Sequence, residues 1–137
     1  MKKKVSIIIP SYNEAKYLPK LLKKINSVNL SKIGFKKEII VVNDGSTDDT
    51  DLVLKKFNKI IKIKQKNKGK GNAVQTGIKK SSGQIILVQD SDLEYDPNDY
   101  IKLLKPFRKN KKIAVYGTRY FKKNIFSYNF LKTKRQN

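Results

Sequence analysis

Short apolar runs alternate along the chain with segments in which apolar residues recur every three or four positions. Residues 5–9 read as a strand, and Leu18, Leu21, Leu22, Ile25 and Val28 then follow at helical spacing, with Pro19 tolerated in the first turn. A second strand is expected at residues 38–42. After Asn-Asp-Gly-Ser-Thr-Asp-Asp-Thr comes a short helix carrying Leu52, Val53 and Phe57, capped by Asp48 or Thr50. A third strand is expected at residues 60–65. It leads through Asn-Lys-Gly-Lys-Gly into a helix over residues 72–80 that contains Gly77. Residues 85–88 read as a fourth strand, followed by an acidic loop, a helix with Ile101, Leu104 and Phe107 inward, and a fifth strand at residues 113–116.

Strands joined by helical crossovers form a mainly parallel sheet with helices on both faces, because that arrangement buries every apolar run. The fold class is therefore α/β. In such sheets the loops that leave strand C-termini share one edge, and ligands bind there where the strand order reverses. At 137 residues the chain is expected to build a single core.

Composition narrows the chemistry. There is no cysteine and no histidine, so disulfides, thiolate sites and imidazole bases are excluded, and a metal must be held by oxygen. No apolar run approaches the roughly 18 residues that span a bilayer, and no small-residue cleavage site follows the N-terminal lysines, so a cytoplasmic chain, soluble or surface-bound, is the expectation. Thirty-two basic residues against 11 acidic ones give a net charge of +21. Such a field attracts polyanions of any kind: nucleic acid, anionic headgroups or phosphorylated small molecules. Arginine supplies little of it, appearing only at Arg108, Arg119 and Arg135.

The acids are placed selectively, all but Glu38 falling in three stretches that follow apolar runs. Asp90 and Asp92 stand two residues apart after the fourth strand, and Glu94 continues the spacing. Hard oxygen donors at this spacing suit Mg²⁺ or Mn²⁺, which take one or two carboxylates and complete their shells with water and phosphate oxygens. A lone Asp-x-Asp more often caps a helix, but here the carboxylates repel one another unless a cation or lysine compensates. Asn-Lys-Gly-Lys-Gly-Asn-Ala sets a cationic backbone at a helix N-terminus, which favours phosphate, although such turns are also common as plain loops. It lacks the Gly-Lys-Ser/Thr ending of an ATP-hydrolysing phosphate loop. Asp44 ends the second strand where acids bind a ribose or base, or else turns the chain within Asn-Asp-Gly-Ser. Tyr12 and Glu14 either meet a base or start the first helix.

Five motifs, SIIIPSYNEAKYL, EIIVVNDGSTDDT, NKGKGNAVQTG, GQIILVQDSDLEYDP and YGTRY, stand in this order over residues 4–120. Together they resemble family 2 glycosyltransferases of the Rossmann-like GT-A fold, in the branch of dolichyl-phosphate mannose synthases and polyprenyl-phosphate glucosyltransferases. The resemblance implies that Pro10, Tyr12, Glu14 and Asp44 hold the nucleoside of a UDP- or GDP-sugar, that Lys70, Gly71 and Asn72 lie beside it, and that Asp90, Asp92 and Glu94 bind Mg²⁺ or Mn²⁺. Glutamine often stands at the position of Glu94 in that branch. Arg119 matches a basic position near the reacting phosphates, and Asp92 with Arg119 would serve the transfer step. The implied reaction moves a hexose, with inversion, to an acceptor such as a polyprenyl phosphate at the cytoplasmic membrane face. Residues 1–120 would form the donor domain and 121–137 a basic amphipathic tail, the start of a missing acceptor region or a membrane-surface helix. Specific nucleic-acid binding is not expected, because the loops are acidic where base recognition wants arginine and aromatic residues.

Overall fold

The computed structural model describes residues 2–92 and 95–109. Glu94, Arg119, the strand expected at residues 113–116 and the tail at 121–137 lie outside the described residues. The chain divides after Asn98 into two compact units.

The first unit is a four-stranded sheet in the order β3-β2-β1-β4, with every neighbouring pair parallel. Its strands are β1 (Lys3–Ser11), β2 (Phe35–Asp44), β3 (Ile61–Gln65) and β4 (Ile85–Val88). The central strands β1 and β2 extend beyond their apolar runs at both ends, because each is paired along its length and covered on both faces. Ile7, Ile8, Ile9, Ile40, Val41 and Val42 are wholly buried.

Helices cover both faces. The α1 helix (Leu18–Ser27) buries Leu18, Leu21, Leu22 and Ile25, the stripe that its spacing defines. The ammonium of Lys37 on β2 donates to the carbonyls of Ile25, Asn26 and Val28, closing the C-terminal end of α1 against that strand. On the same face the short α2 (Thr50–Leu54) follows β2. The opposite face carries α3 (Lys70–Lys80), pressed so close that a Cβ on Gly77 would lie 2.5 Å from Ile8 Cγ2. The glycine that weakens the helix pattern is what permits this contact.

Two inward faces differ from expectation. In α2 the buried residues are Thr50 and Leu54, whereas Leu52 is 57% exposed. A five-residue helix has room for one i, i+4 pair, and choosing Thr50 and Leu54 turns Leu52 to solvent. In the second unit, α4 (Tyr100–Leu104) buries Tyr100 and Leu104, while Ile101 and Phe107 are half-buried. Pro106 has no N–H to continue an α-helix, and Lys105–Arg108 tightens into a 3-10 turn.

Candidate functional site

Strand order fixes where a ligand fits. The chain steps from β1 outward to β2 and β3, then returns across β1 to β4, so the order reverses between β1 and β4. The two strands pair through Ile8 and Val88, and the Gln89 N–H still donates to the Ile8 carbonyl. Residues of a strand alternate their polar groups between neighbours, so the missing N–H of Pro10 faces the β4 side, beyond the last β1–β4 pair. The β1 and β4 loops part there.

The loops after β1 and β2 are clasped together. Asn13 adopts a left-handed conformation with φ 52°, which asparagine tolerates better than most residues. Its side-chain oxygen accepts from the backbone N–H of Thr47 at 2.8 Å and of Asp48 at 3.3 Å, and its own N–H donates to the Ser46 hydroxyl. Asp48 accepts in turn from the Ala15 N–H and from both the N–H and hydroxyl of Thr50. These hydrogen bonds win over burial and hold the Asp48 carboxyl below its ordinary value. Within Asn-Asp-Gly-Ser the turn is bonded by Asn43, whose side-chain oxygen accepts from the Ser46 N–H.

Asp44 faces the loop after β3. Its carboxylate accepts from Gln65 Nε2 at 2.8 Å and from the backbone N–H groups of Lys68 and Gly69, each at 2.9 Å. Burial opposes its charge, but the three hydrogen bonds prevail and its pKa is lowered. Gly45, at φ +72°, lies against the same loop, and a Cβ there would stand 2.6 Å from the Asn67 nitrogen. Gln65 also donates to the side-chain oxygen of Asn72 and accepts from Thr76, tying β3 to the first turns of α3. Gly71 has open space above it.

The loops after β3 and β4 meet through an ion pair between Lys70, the first residue of α3, and Asp90. Lysine thus compensates one of the two aspartates. Gln89, buried beside them, donates to the carbonyls of Asp90 and Tyr95 and folds the acidic loop back. Across the crevice, burial first, and then repulsion from Asp92 and Asp48, raises the Glu14 carboxyl above its ordinary value. Tyr12 beside it is 48% exposed. The expected residues Pro10, Tyr12, Glu14, Asp44, Lys70, Gly71, Asn72, Asp90 and Asp92 therefore all lie at one sheet edge.

The donor chemistry fits a hard divalent cation. Burial raises the Glu14 carboxyl first, and repulsion from Asp92 and Asp48 adds to it; a cation beside these acids would relieve that second part. No three acids among the described residues form a ready ligand set, but Mg²⁺ and Mn²⁺ need only one or two carboxylates when phosphate and water complete the shell.

A parallel sheet whose order reverses beside such a crevice is common to many nucleotide-binding proteins, and the sequence that fills it distinguishes among them. The family model described as Glycosyl transferase family 2 matches residues 6–136. The chain belongs to that family. A dolichol-phosphate mannosyltransferase of Pyrococcus furiosus is 38% identical over 124 residues, which are 87% of this chain and 34% of that protein. Residues 1–349 of S. aureus TarS, crystallised with UDP-GlcNAc, superimpose with a TM-score of 0.60 at 31% identity, covering 78% of this chain and 31% of that one. Mannosyltransferase PcManGT from Pyrobaculum calidifontis, in complex with GDP-Man and Mn²⁺, gives 0.64 at 21% identity over 82% of this chain and 34% of that one, a likeness of fold. The chain thus spans about a third of each of these glycosyltransferases, and its fold is the GT-A arrangement that family members share.

Sequence patterns do not single out Asn13, Asp48 and Gln65 as the residues that lock the loops. Asn13 sits within the Tyr-Asn-Glu motif, and an asparagine just past a strand is a signal for left-handed backbone. Gln65, at the end of an ordinary lysine-rich strand, carries no such signal.

Proposed function

We propose that this chain is the donor-binding part of a glycosyltransferase, taking a UDP- or GDP-linked hexose in the crevice between the β1 and β4 loops. The observation that carries it is the joining of four strand-end loops, through Asn13, Asp44 and Lys70, around the acids Glu14, Asp90 and Asp92. Tyr12 offers an exposed ring for the base. Asp44 acts mainly by holding the Lys68–Gly69 backbone in place beside the nucleoside. The first turn of α3, an 11-residue helix with no side-chain cap, turns its N–H groups and positive dipole end to the diphosphate.

Asp90 and Asp92 would hold Mg²⁺ or Mn²⁺, with Glu94 as a further candidate ligand. When bound, such an ion neutralises charge on the departing diphosphate. Lys70 is positioned to exchange Asp90 for a phosphate oxygen as the donor arrives. In the transfer, the acceptor oxygen bonds to the anomeric carbon from the side opposite the diphosphate, and the broken C–O bond leaves its electron pair on the diphosphate oxygen, inverting the centre. A polyprenyl phosphate is already anionic near neutral pH, so no general base is needed and positioning supplies much of the rate. Arg119 is proposed to support the phosphates. No helix among the described residues is long and apolar enough to cross a membrane, and a peripheral position on the bilayer that carries the acceptor suits the chain.

The test is transfer of labelled glucose from UDP-glucose and mannose from GDP-mannose to polyprenyl phosphate in vesicles, with the product anomer read by NMR. A single inverted product, dependent on Mn²⁺ or Mg²⁺, is expected. A retained anomer would contradict the mechanism, and nucleotide binding with no transfer would reduce the chain to a binding module.

A further inference from the structure

Residues 52–89 contain ten lysines and no aspartate, glutamate or arginine. Half of these lysines, Lys55, Lys56, Lys59, Lys62 and Lys64, fall on one border of the first unit, where α2 turns into β3, one of the two edge strands among the described residues. Leu52, Lys55 and Lys56 follow i, i+3, i+4 spacing on the outer side of α2 and the turn after it, opposite buried Thr50 and Leu54. Lys59 and Lys62 continue the row into β3. Lys64 reaches Asp51 at 2.5 Å, while Lys56, Lys59 and Lys62 have no ion pair among the described residues. Large apolar side chains are interleaved with them, Leu52 at 57% exposure and Ile61 at 38%.

We propose that this border, centred on Lys55–Lys62, docks the chain on an anionic lipid bilayer. It deepens the membrane-surface part of the function proposed above by naming the face that makes the contact, and it does not depend on the donor site. Lysine carries a compact charge on a flexible apolar stem, which suits a diffuse anionic surface rather than one oriented phosphate. Basic residues near such a surface each add to partitioning, and exposed leucine and isoleucine side chains supply apolar insertion between them. Nucleic acid fits less well: the segment has no arginine, and its one aromatic residue, Phe57, is half-buried and offers no open stacking platform. Docking here also leaves the crevice open, since Lys62 stands three residues, about 10 Å, before the end of β3 and the rest of the Lys55–Lys62 patch precedes it.

The test is sedimentation of the full chain with vesicles of phosphatidylcholine, alone or mixed with phosphatidylglycerol. Binding is expected only to the mixed vesicles, weakening as salt rises. The triple variant K56Q/K59Q/K62Q should lose on the order of tenfold or more in partitioning, whereas K20Q/K23Q/K32Q, with the same charge change on exposed lysines elsewhere, should lose less than about threefold. Both variants should melt with the parent and bind nucleotide as it does, so a failure here is separable from a failure of the donor site. Equal losses in the two triples would overturn the proposal in favour of net charge alone, and undiminished binding of the first would place the contact elsewhere. Aggregation of the first triple with unchanged vesicle binding would make these lysines guards of an open strand edge instead. Preferential retention on duplex DNA, lost in the same triple, would reassign the border to nucleic acid.

Discussion

Asn13 shows how much of the crevice depends on residues that hold one loop to another. One side-chain oxygen there receives two backbone N–H groups from the neighbouring loop, and the residue also accepts a left-handed φ of 52°. Asn13→Ala loses both contributions and is expected to cost about 1–3 kcal/mol in urea unfolding. It should also weaken nucleotide binding, because Tyr12 and Glu14 flank it. Asp92→Asn keeps size and polarity but halves the carboxylate pair offered to a cation, so metal-dependent nucleotide affinity should fall at least about tenfold with the melting temperature unchanged. Unchanged affinity in a titration of that variant would remove Asp92 from the metal site. At this scale the sequence discloses chemistry better than partners. The acids at 44, 90 and 92 stand out by type and position, but only coordinates reveal that Asp44 is taken up by Gln65, Lys68 and Gly69, or that Lys70 pairs with Asp90.

At the scale of elements, hydrophobic spacing finds α1 and β4 closely, one as an amphipathic stripe and the other as a short apolar run between loops, although on β4 only Ile85 is buried and Ile86 and Val88 remain exposed. It fails where an element is too short for its period to be sampled. The five residues of α2 carry three apolar side chains, and periodicity alone cannot tell that Leu54 goes inside with Thr50 while Leu52 does not. Gly77 is the reverse case, a residue that argues against its helix in isolation and is required by packing. A valine there would push into Ile8 and Val42, so Gly77→Val should destabilise by about 1–3 kcal/mol in thermal or urea melts. Because α3 also presents Lys70 and Asn72 to the crevice, that displacement should raise the nucleotide dissociation constant as well.

For the whole molecule, the two ends of the sheet do different work. At the end opposite the crevice, Glu38 accepts from the Ser6 hydroxyl at 2.5 Å and from the Ser82 N–H and hydroxyl, binding the turn before β4 to β1 and β2. Burial would raise its pKa, but these hydrogen bonds and nearby Lys4 hold it below the ordinary 4.5. A carboxyl lowered on folding stabilises the chain above the unfolded value, and that stability is lost as pH falls through the folded value. Urea midpoints should therefore drop below about pH 5, and Glu38→Gln should be less stable at neutral pH and flatter across that limb. The parallel α/β class was legible from the alternation of strands and helices, and the gathering of the strand-end loops followed from it, whereas the order β3-β2-β1-β4 was not. Contacts made across the chain, such as Asn13 with Thr47 or Asp44 with Gly69, have no local signature and were not. If the gathered loops form a metal-assisted nucleotide-sugar site, it should be visible in calorimetric titration of the chain with UDP and with GDP, each with and without Mn²⁺. Binding of one nucleotide that requires the metal is the predicted result. Binding of neither, with the fold intact, would contradict it.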